Sequence, residues 1–176
     1  MNLLFLGHTE QGVATTARLA ASSAMAAGMN VHLYLPEPTQ PGDNRQAWLR
    51  LVKGKEQITE RGPTKDADIV LAFDVAIAKE QLKQMKEKSV IIVNSEEKFT
   101  NPLLPKKKIR AYSLDATGLA MESVGKPFPA APMAGALSKV FPKISLKALR
   151  SAIENEFYGQ IDQHKAATEQ GLRLAK

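Results

Sequence analysis

The sequence predicts an α/β fold: one Rossmann-like domain over residues 1–176, with an open, mainly parallel sheet, helices on both faces and a helical C-terminal region. Short apolar runs at 3–6, 31–35, 69–73 and 89–93 are typical of buried strands. A segment of helix-forming residues follows most of these runs, and this alternation favours parallel strands. From about residue 115 to residue 174 the sequence has helical character, and we expect helices there.

The first 35 residues predict a strand, a loop, a helix and a second strand. The apolar run 3–6 is followed by a polar loop between Gly7 and Gly12, and the segment 13–28 is rich in alanine. A second strand at 31–35 is stopped by Pro36. We expect the two strands to be neighbours in the sheet, so that the loops after them meet at one edge.

The middle of the chain continues the alternation of strands and helices. The segment 47–52 alternates as a half-exposed strand, and 69–73 is a buried strand. Asp74 is placed to cap a helix that we expect to run to about residue 88, with Ile77, Leu82 and Met85 on its apolar side. Strands at 89–93 and 109–114 complete the predicted sheet. The proline-rich segments 36–44 and 98–108 are predicted to be loops.

The loop from Gly7 to Gly12 is the first candidate site for an anionic ligand, because helix N-termini offer free N–H groups at this edge of an α/β sheet. Thr9 stands where a dinucleotide-binding loop has its middle glycine, so we do not expect an independent NAD site. A tight turn that needs its glycines only for geometry is the other interpretation. Arg45 follows the proline-rich segment and could add a contact to phosphate, or form an ion pair on the surface or at a subunit interface.

Composition excludes several classes of function. The chain has no cysteine, so it can form neither a disulfide nor a thiolate-held iron–sulfur cluster. It has no apolar run long enough for a membrane span and no evident signal peptide, so we expect a cytoplasmic protein. The net charge is +6, but only 6% of the residues are aromatic, and the sequence contains no known nucleic-acid-binding motif. It fits a solvated basic surface, or one that faces a polyanionic cofactor or an acidic protein.

Catalytic residues are difficult to find in this sequence. His8, His32 and His164 are scattered, and their spacing fits no metal site. No nucleophile elbow or pair of catalytic carboxylates is present. We therefore predict no catalytic residue and no metal ligand in this chain.

Motifs along nearly the whole chain resemble a known family. They are Asp-Ala-Thr at 115–117, Gly-Lys-Pro at 125–127, Pro-Met-Ala-Gly-Ala-Leu at 132–137 and Ser-Leu-Lys-Ala-Leu at 145–149. In this order they resemble the gamma subunit of pyruvate:ferredoxin oxidoreductase and its 2-oxoacid relatives. The family's Gly-x-Gly-Gly-Gln-Gly loop aligns with 7–12, and its Glu-x-Arg-Gly-Gly aligns with 43–47.

The resemblance implies a subunit of an enzyme that oxidatively decarboxylates a 2-oxo acid to an acyl-coenzyme A and passes the electrons to ferredoxin. Thiamine pyrophosphate would lie in the alpha and beta subunits, and iron–sulfur clusters in cysteine-bearing subunits such as the delta type. This chain would bind none of these alone, would be inactive when isolated, and would help to form the approach of coenzyme A. Its candidate coenzyme A contacts are Gly7, Thr9, Gln11, Gly12 and Arg45.

Departures from the family pattern fall near the expected cleft. Thr9, Glu10, Gln46 and Ala47 replace family glycines, and His164 replaces an asparagine of the last helix. Bulkier side chains in the first loop narrow a phosphate-sized space, and the carboxylate of Glu10 would repel phosphate. The alternative function is a stand-alone nucleotide- or coenzyme A-binding module, or an interaction module, derived from this family.

Overall fold

The computed structural model describes residues 1–37, 44–54, 56–59, 62–63 and 66–176. In this part of the chain there are six strands and seven α-helices, and the last four helices follow one another. Their bounds are β1 Asn2–His8, α1 Val13–Ala26, β2 Met29–Tyr34, β3 Asn44–Lys53, β4 Ile69–Ala72, α2 Val75–Gln81, β5 Val90–Asn94, α3 Leu103–Lys106, β6 Arg110–Leu114, α4 Ala116–Val124, α5 Ala130–Val140, α6 Leu146–Glu156 and α7 Ile161–Leu174. A short 3-10 helix, Thr9–Gln11, joins β1 to α1.

The sheet has the strand order β2-β3-β1-β4-β5-β6. Strands β1, β4, β5 and β6 are parallel, whereas β3 runs antiparallel to both of its neighbours. The mainly parallel sheet is therefore confirmed, but the expectation that β1 and β2 are neighbours is wrong. The ten residues of β3 separate them and bury alternate side chains, from Ala47 to Leu51.

Helices cover both faces of the sheet, as predicted, but they do so unequally. Leu3 and Phe5 of β1 point to the face on which residues of α1 and α4 to α7 pack. Leu4 and Leu6 point to the opposite face, where α2 and the segment around α3 lie. This alternation follows the period of a strand, since successive side chains point to opposite faces. The thick helical face is the one that builds the candidate site.

Two predicted boundaries need correction. The helix after β4 ends at Gln81 instead of about residue 88, although Asp74 caps it as predicted and accepts hydrogen bonds from the N–H groups of Ala76 and Ile77. Leu82 and Met85 are buried beyond the end of that helix. The segment 98–108, predicted to be a loop, contains the short helix α3. The C-terminal helical region is confirmed as α4 to α7. In the described part of the chain, no helix has the length and apolar character needed to cross a bilayer.

Candidate functional site

The two glycines of the first loop are required by the packing around them. A β-carbon on Gly7 would lie 2.7 Å from Cβ of Phe73 and 2.8 Å from Cγ2 of Val13. Gly12 has a left-handed backbone with φ of 76°, and a β-carbon there would lie 2.8 Å from Cζ of Phe128. The interpretation that these glycines serve the geometry of a tight turn is therefore sufficient to explain both.

Gln11 fastens this loop to the sheet. Its Oε1 accepts a hydrogen bond of 2.8 Å from the backbone N–H of His8, and its Nε2 donates one of 3.3 Å to the carbonyl of Phe73. Thr9 and Glu10 are exposed on the outer side of the turn. Both ends of the Gln11 amide are thus hydrogen-bonded within the protein.

Arg45 lies in β3, opposite Gly7 in the strand register, because that strand begins at Asn44 and not at the predicted residue 47. Its Nη1 is 3.2 Å from Oε2 of Glu37, so the predicted alternative of an ion pair is present. The side chain of Arg45 is only 12% exposed, whereas that of Glu37 is 86% exposed. The family's acidic position, Asp43, lies outside the described residues. Arg45 therefore lies beside Gly7 because β3 pairs directly with β1, and not because the loops after β1 and β2 meet.

A pocket of about 910 Å³ opens on the thick helical face. It lies between the Thr9–Gln11 turn, the first turns of α1, the α4–α5 turn and the α6–α7 turn. Gln11 lines it, but Arg45 is not among the described residues that do. Its volume is within the usual range of small-molecule sites, which is roughly 300–1,000 Å³.

An aromatic wall forms one side of this pocket. The ring of Phe157 stacks on that of His164 with centroids 3.7 Å apart and an interplanar angle of 22°. Phe128 meets Phe157 edge to face, at 6.4 Å and 86°. Both phenylalanines are partly exposed, so they combine a packed side with a side that faces the pocket.

His164 is the most unusual polar residue of the pocket. It is 6% exposed, and its Nδ1 is buried without a hydrogen-bond partner in the described part of the chain. Burial holds the pKa of the imidazole below its usual range, and the positive charge of Lys126 lowers that pKa further. The ring is therefore neutral at neutral pH. The resemblance singled out this residue by aligning His164 with an asparagine of the family, but the sequence did not predict that it lines this pocket.

The charges around the pocket are unequally compensated. The Nε atom of Arg18 on α1 lies 2.6 Å from Oε1 of Glu156 on α6, and this ion pair links two sides of the pocket. Lys126, in the α4–α5 turn, is exposed and forms no ion pair with any described residue. Glu10 is exposed on the side of the 3-10 helix. Of the described residues that line the pocket, Lys126 is therefore the cation without an ion pair.

Asn94, at the end of β5, links the start of α4 to the end of β4 through its side-chain amide. Its Oδ1 accepts hydrogen bonds from the N–H groups of Ala116 and Thr117, at 2.9 and 3.2 Å. Its Nδ2 donates to the hydroxyl of Thr117 at 2.9 Å and to the carbonyl of Phe73 at 3.2 Å. The side chain of Asp115 caps the same helix through the N–H of Gly118. The Asp-Ala-Thr motif thus builds the start of α4, and Thr117 lines the pocket.

Comparison with known proteins gives one consistent result. Residues 2–174 match the family model described as pyruvate ferredoxin/flavodoxin oxidoreductase. The chain is 26% identical to pyruvate synthase subunit PorC of Thermotoga maritima, over 97% of this chain and 92% of that protein. It is 27% identical to the pyruvate/ketoisovalerate oxidoreductases common subunit gamma of Thermococcus kodakarensis, over 94% and 91%. The crystal structure of the Thermotoga maritima subunit matches with a TM-score of 0.82 at 24% identity, covering 100% of this chain and 97% of that one.

Proposed function

The chain belongs to the pyruvate ferredoxin/flavodoxin oxidoreductase family, and on this premise we propose that it is the gamma subunit of a pyruvate:ferredoxin oxidoreductase complex. The complex would decarboxylate the 2-oxo acid, transfer the acyl group to the sulfur of coenzyme A and pass the two electrons to ferredoxin. The likeness from end to end, over 97% of this chain and 92% of a known subunit, carries this proposal. A likeness confined to one loop would support only a shared binding module.

The division of labour proposed for the complex agrees with the composition of this chain. Without cysteine it offers no thiolate to an iron–sulfur cluster, so the clusters would lie in the delta type of subunit or in other partners. Thiamine pyrophosphate would lie between the alpha and beta subunits, with ferredoxin as the acceptor. The cofactors would supply the carbanion and electron-transfer chemistry, while this subunit supplies packing and orientation. A cytoplasmic location stays a prediction from the sequence.

Coenzyme A would approach along the first loop, and its proposed contacts are Gly7, Thr9, Gln11, Gly12 and Arg45. The N-terminus of α1 has no side-chain cap, so its first N–H groups and the helix dipole favour an anion. Arg45 lies beside this loop in the strand register. Its ion pair with the largely exposed Glu37 is of the weak, solvent-screened kind, so a phosphate group could replace that carboxylate.

Purification from the native organism tests the assignment as a subunit. A tagged copy of this chain should recover partner subunits together with thiamine and iron. The recovered material should reduce ferredoxin only when both a 2-oxo acid and coenzyme A are present. Recovery of the chain alone, without thiamine or iron, would instead support the stand-alone binding or interaction module.

Substitution of Arg45 tests the coenzyme A contact separately. In the assembled complex, Arg45→Ala should raise the Michaelis constant for coenzyme A about tenfold, the size expected for the loss of one charge-assisted hydrogen bond. The Michaelis constant for the 2-oxo acid should change little. Arg150→Ala removes a surface arginine that pairs with Glu169, and it serves as the matched control. If Arg45→Ala changes neither Michaelis constant, the proposal that Arg45 contacts coenzyme A is wrong.

A further inference from the structure

The positive charge of this protein is concentrated in two short segments. Residues 82–88, after α2, and residues 105–110, which end in the first residue of β6, together contain seven lysines or arginines and one acid. Their excess of positive charge equals the +6 of the whole chain. All other residues together therefore carry equal numbers of cations and acids, and the net charge of the protein belongs to these two segments.

Backbone hydrogen bonds join the two segments into one surface. The N–H of Lys88 donates to the carbonyl of Lys107 at 3.0 Å. The N–H of Arg110 donates to the carbonyl of Ser89 at 3.1 Å. The segments therefore lie side by side at the amino ends of β5 and β6. The pocket described above lies at the opposite edge of the sheet, where Thr117 follows the carboxyl end of β6.

Lys107 fixes the two segments to each other through its side chain. Its Nζ donates hydrogen bonds to the carbonyls of Leu82, Lys83 and Met85, at 3.0, 2.8 and 2.8 Å. The ammonium group thereby satisfies carbonyls just beyond the C-terminus of α2, which is a favourable place for a cation. The two segments thus form a rigid support for the charges that they carry.

Five of the seven cations are left for solvent or for a partner. Lys86 is paired with Asp68, at 2.5 Å between Nζ and Oδ1, and Lys107 is bound to the carbonyls of the first segment. The other five are exposed, form no ion pair with any described residue, and are called the basic surface below: Lys83, Lys88, Lys106, Lys108 and Arg110. The single acid of the two segments, Glu87, is too little to neutralise them.

Two lysines of the basic surface occupy strained backbone positions. Lys88 and Lys108 have φ of 60° and 54°, in the left-handed region that side chains other than glycine rarely adopt. Glycine would fit either turn without strain, so folding alone does not explain a lysine at these places. Strain of this kind is concentrated at functional sites, where the side chain is needed for another purpose.

The composition of the two segments favours an acidic peptide over other polyanions. They contain no aromatic residue, whereas proteins that bind single-stranded nucleic acid stack the bases on aromatic side chains. None of the large apolar residues exposed in the described part of the chain belongs to them, so they offer nothing to insert into a lipid surface. Lysine ammonium groups on flexible stems can pair with carboxylates in many arrangements.

We propose that the basic surface docks an acidic segment of a partner protein, through ion pairs between its cations and the carboxylates of glutamate or aspartate. Attraction between exposed charges speeds association and is weakened by salt. The contact is transient, since single exposed ion pairs contribute little. This inference goes beyond the proposed function, because it concerns the edge of the sheet opposite the pocket and needs neither coenzyme A nor a 2-oxo acid.

Fluorescence anisotropy of a labelled oligoglutamate peptide, titrated with the full chain at low salt, tests the proposal. The peptide should bind, and binding should weaken steeply as salt is added. Lys88→Met combined with Lys108→Met should weaken it about tenfold, the size expected for the loss of two exposed ion pairs. The matched control is Lys143→Met combined with Lys147→Met, which removes the same charge from exposed lysines outside the basic surface. The control should change peptide binding little.

Glycine at the two strained positions separates binding from folding. Lys88→Gly combined with Lys108→Gly should weaken peptide binding as much as the methionine pair does. The denaturant midpoint of unfolding should not fall, because glycine adopts the left-handed conformation freely. Retention of peptide binding by the glycine pair would overturn the proposal.

Two further probes identify the class of partner. An oligothymidylate with the same number of charges, and vesicles of phosphatidylserine, should each bind more weakly than the peptide. Tighter binding of either probe would reassign the basic surface to nucleic acid or to a lipid surface. Absence of peptide binding, or equal weakening by the methionine pair and by its control, also overturns the proposal. None of these results bears on recovery of partner subunits with thiamine and iron, so failure of this proposal and failure of the proposed function can be told apart.

Discussion

The two ends of α7 are packed in opposite ways. Its C-terminal half presses against α5, where a β-carbon on Gly171 would overlap the carbonyl oxygen of Pro132, and one on Gly135 would overlap that of Thr168. Its N-terminal half carries His164, with a buried nitrogen that has no partner in the described part of the chain. The C-terminal half of this helix is thus in direct contact with the backbone of α5, whereas its N-terminal half lines a pocket. This difference separates a segment whose glycines are required by helix packing from a segment that borders the pocket.

The largest effect on stability is expected from a methyl group added where α7 packs against α5. Gly171→Ala should reduce the free energy of unfolding by about 3 kcal/mol, because the new β-carbon meets backbone that cannot move without separating the helices. Chemical denaturation measures this effect. Gly159→Ala is the control, since a β-carbon there would have no atom of the described residues within 4 Å, and it should change stability little. Equal effects of the two substitutions would show that the α5–α7 contact is not tight.

Asn94 allows an intermediate test at the start of α4. Asn94→Ala should cost about 2 kcal/mol of stability, because it removes the acceptor for two N–H groups at a helix N-terminus and leaves them without a partner. Denaturant unfolding would again provide the measurement. Asn155→Ala removes an exposed asparagine whose side-chain amide, among the described residues, donates a hydrogen bond only to the carbonyl of Ser151, so it should have a much smaller effect. A loss as large for Asn155→Ala would contradict this role of Asn94.

The smallest expected effect is a dependence of stability on pH that originates at His164. Its pKa is lowered in the folded protein, first by burial and then by Lys126. Below the unfolded value of about 6.5 the unfolded chain therefore takes up a proton that the folded chain resists. This contribution to stability is present above that value and is lost as the pH falls through the folded pKa.

Unfolding by denaturant between about pH 7 and pH 5 measures this loss. His164→Phe should make the stability of the protein less dependent on pH in this window, and Lys126→Met should have the same effect in smaller degree. An unchanged pH dependence in His164→Phe would mean that the imidazole is not held neutral by its surroundings.

The sequence predicted most strands of the sheet correctly. Strands that are buried on both faces consist of consecutive apolar residues, and in β3 apolar and polar residues alternate. It did not predict that β3 lies between β1 and β2, since the register of an inserted antiparallel strand depends on partners far along the chain. The first helix of the middle region was predicted too long because Leu82 and Met85 keep helical spacing after the helix has ended.

The candidate site was only partly predictable. The loop from Gly7 to Gly12 could be located from its glycines and its place after a strand, and the structure explains both glycines by packing. The pocket combines the α4–α5 and α6–α7 turns with this loop, and no local pattern reports such an assembly. His164 stood out only as a departure from the family motif.

Turnover of the isolated chain, compared with that of the assembled complex, tests the central claim most directly. Supplied with pyruvate, coenzyme A and oxidised ferredoxin, the purified chain should reduce no ferredoxin, because it has no cysteine to hold a cluster. The complex recovered with this chain should reduce ferredoxin and form acyl-coenzyme A. Turnover by the isolated chain, or full activity in a complex from which this chain has been removed, would contradict its role as the gamma subunit.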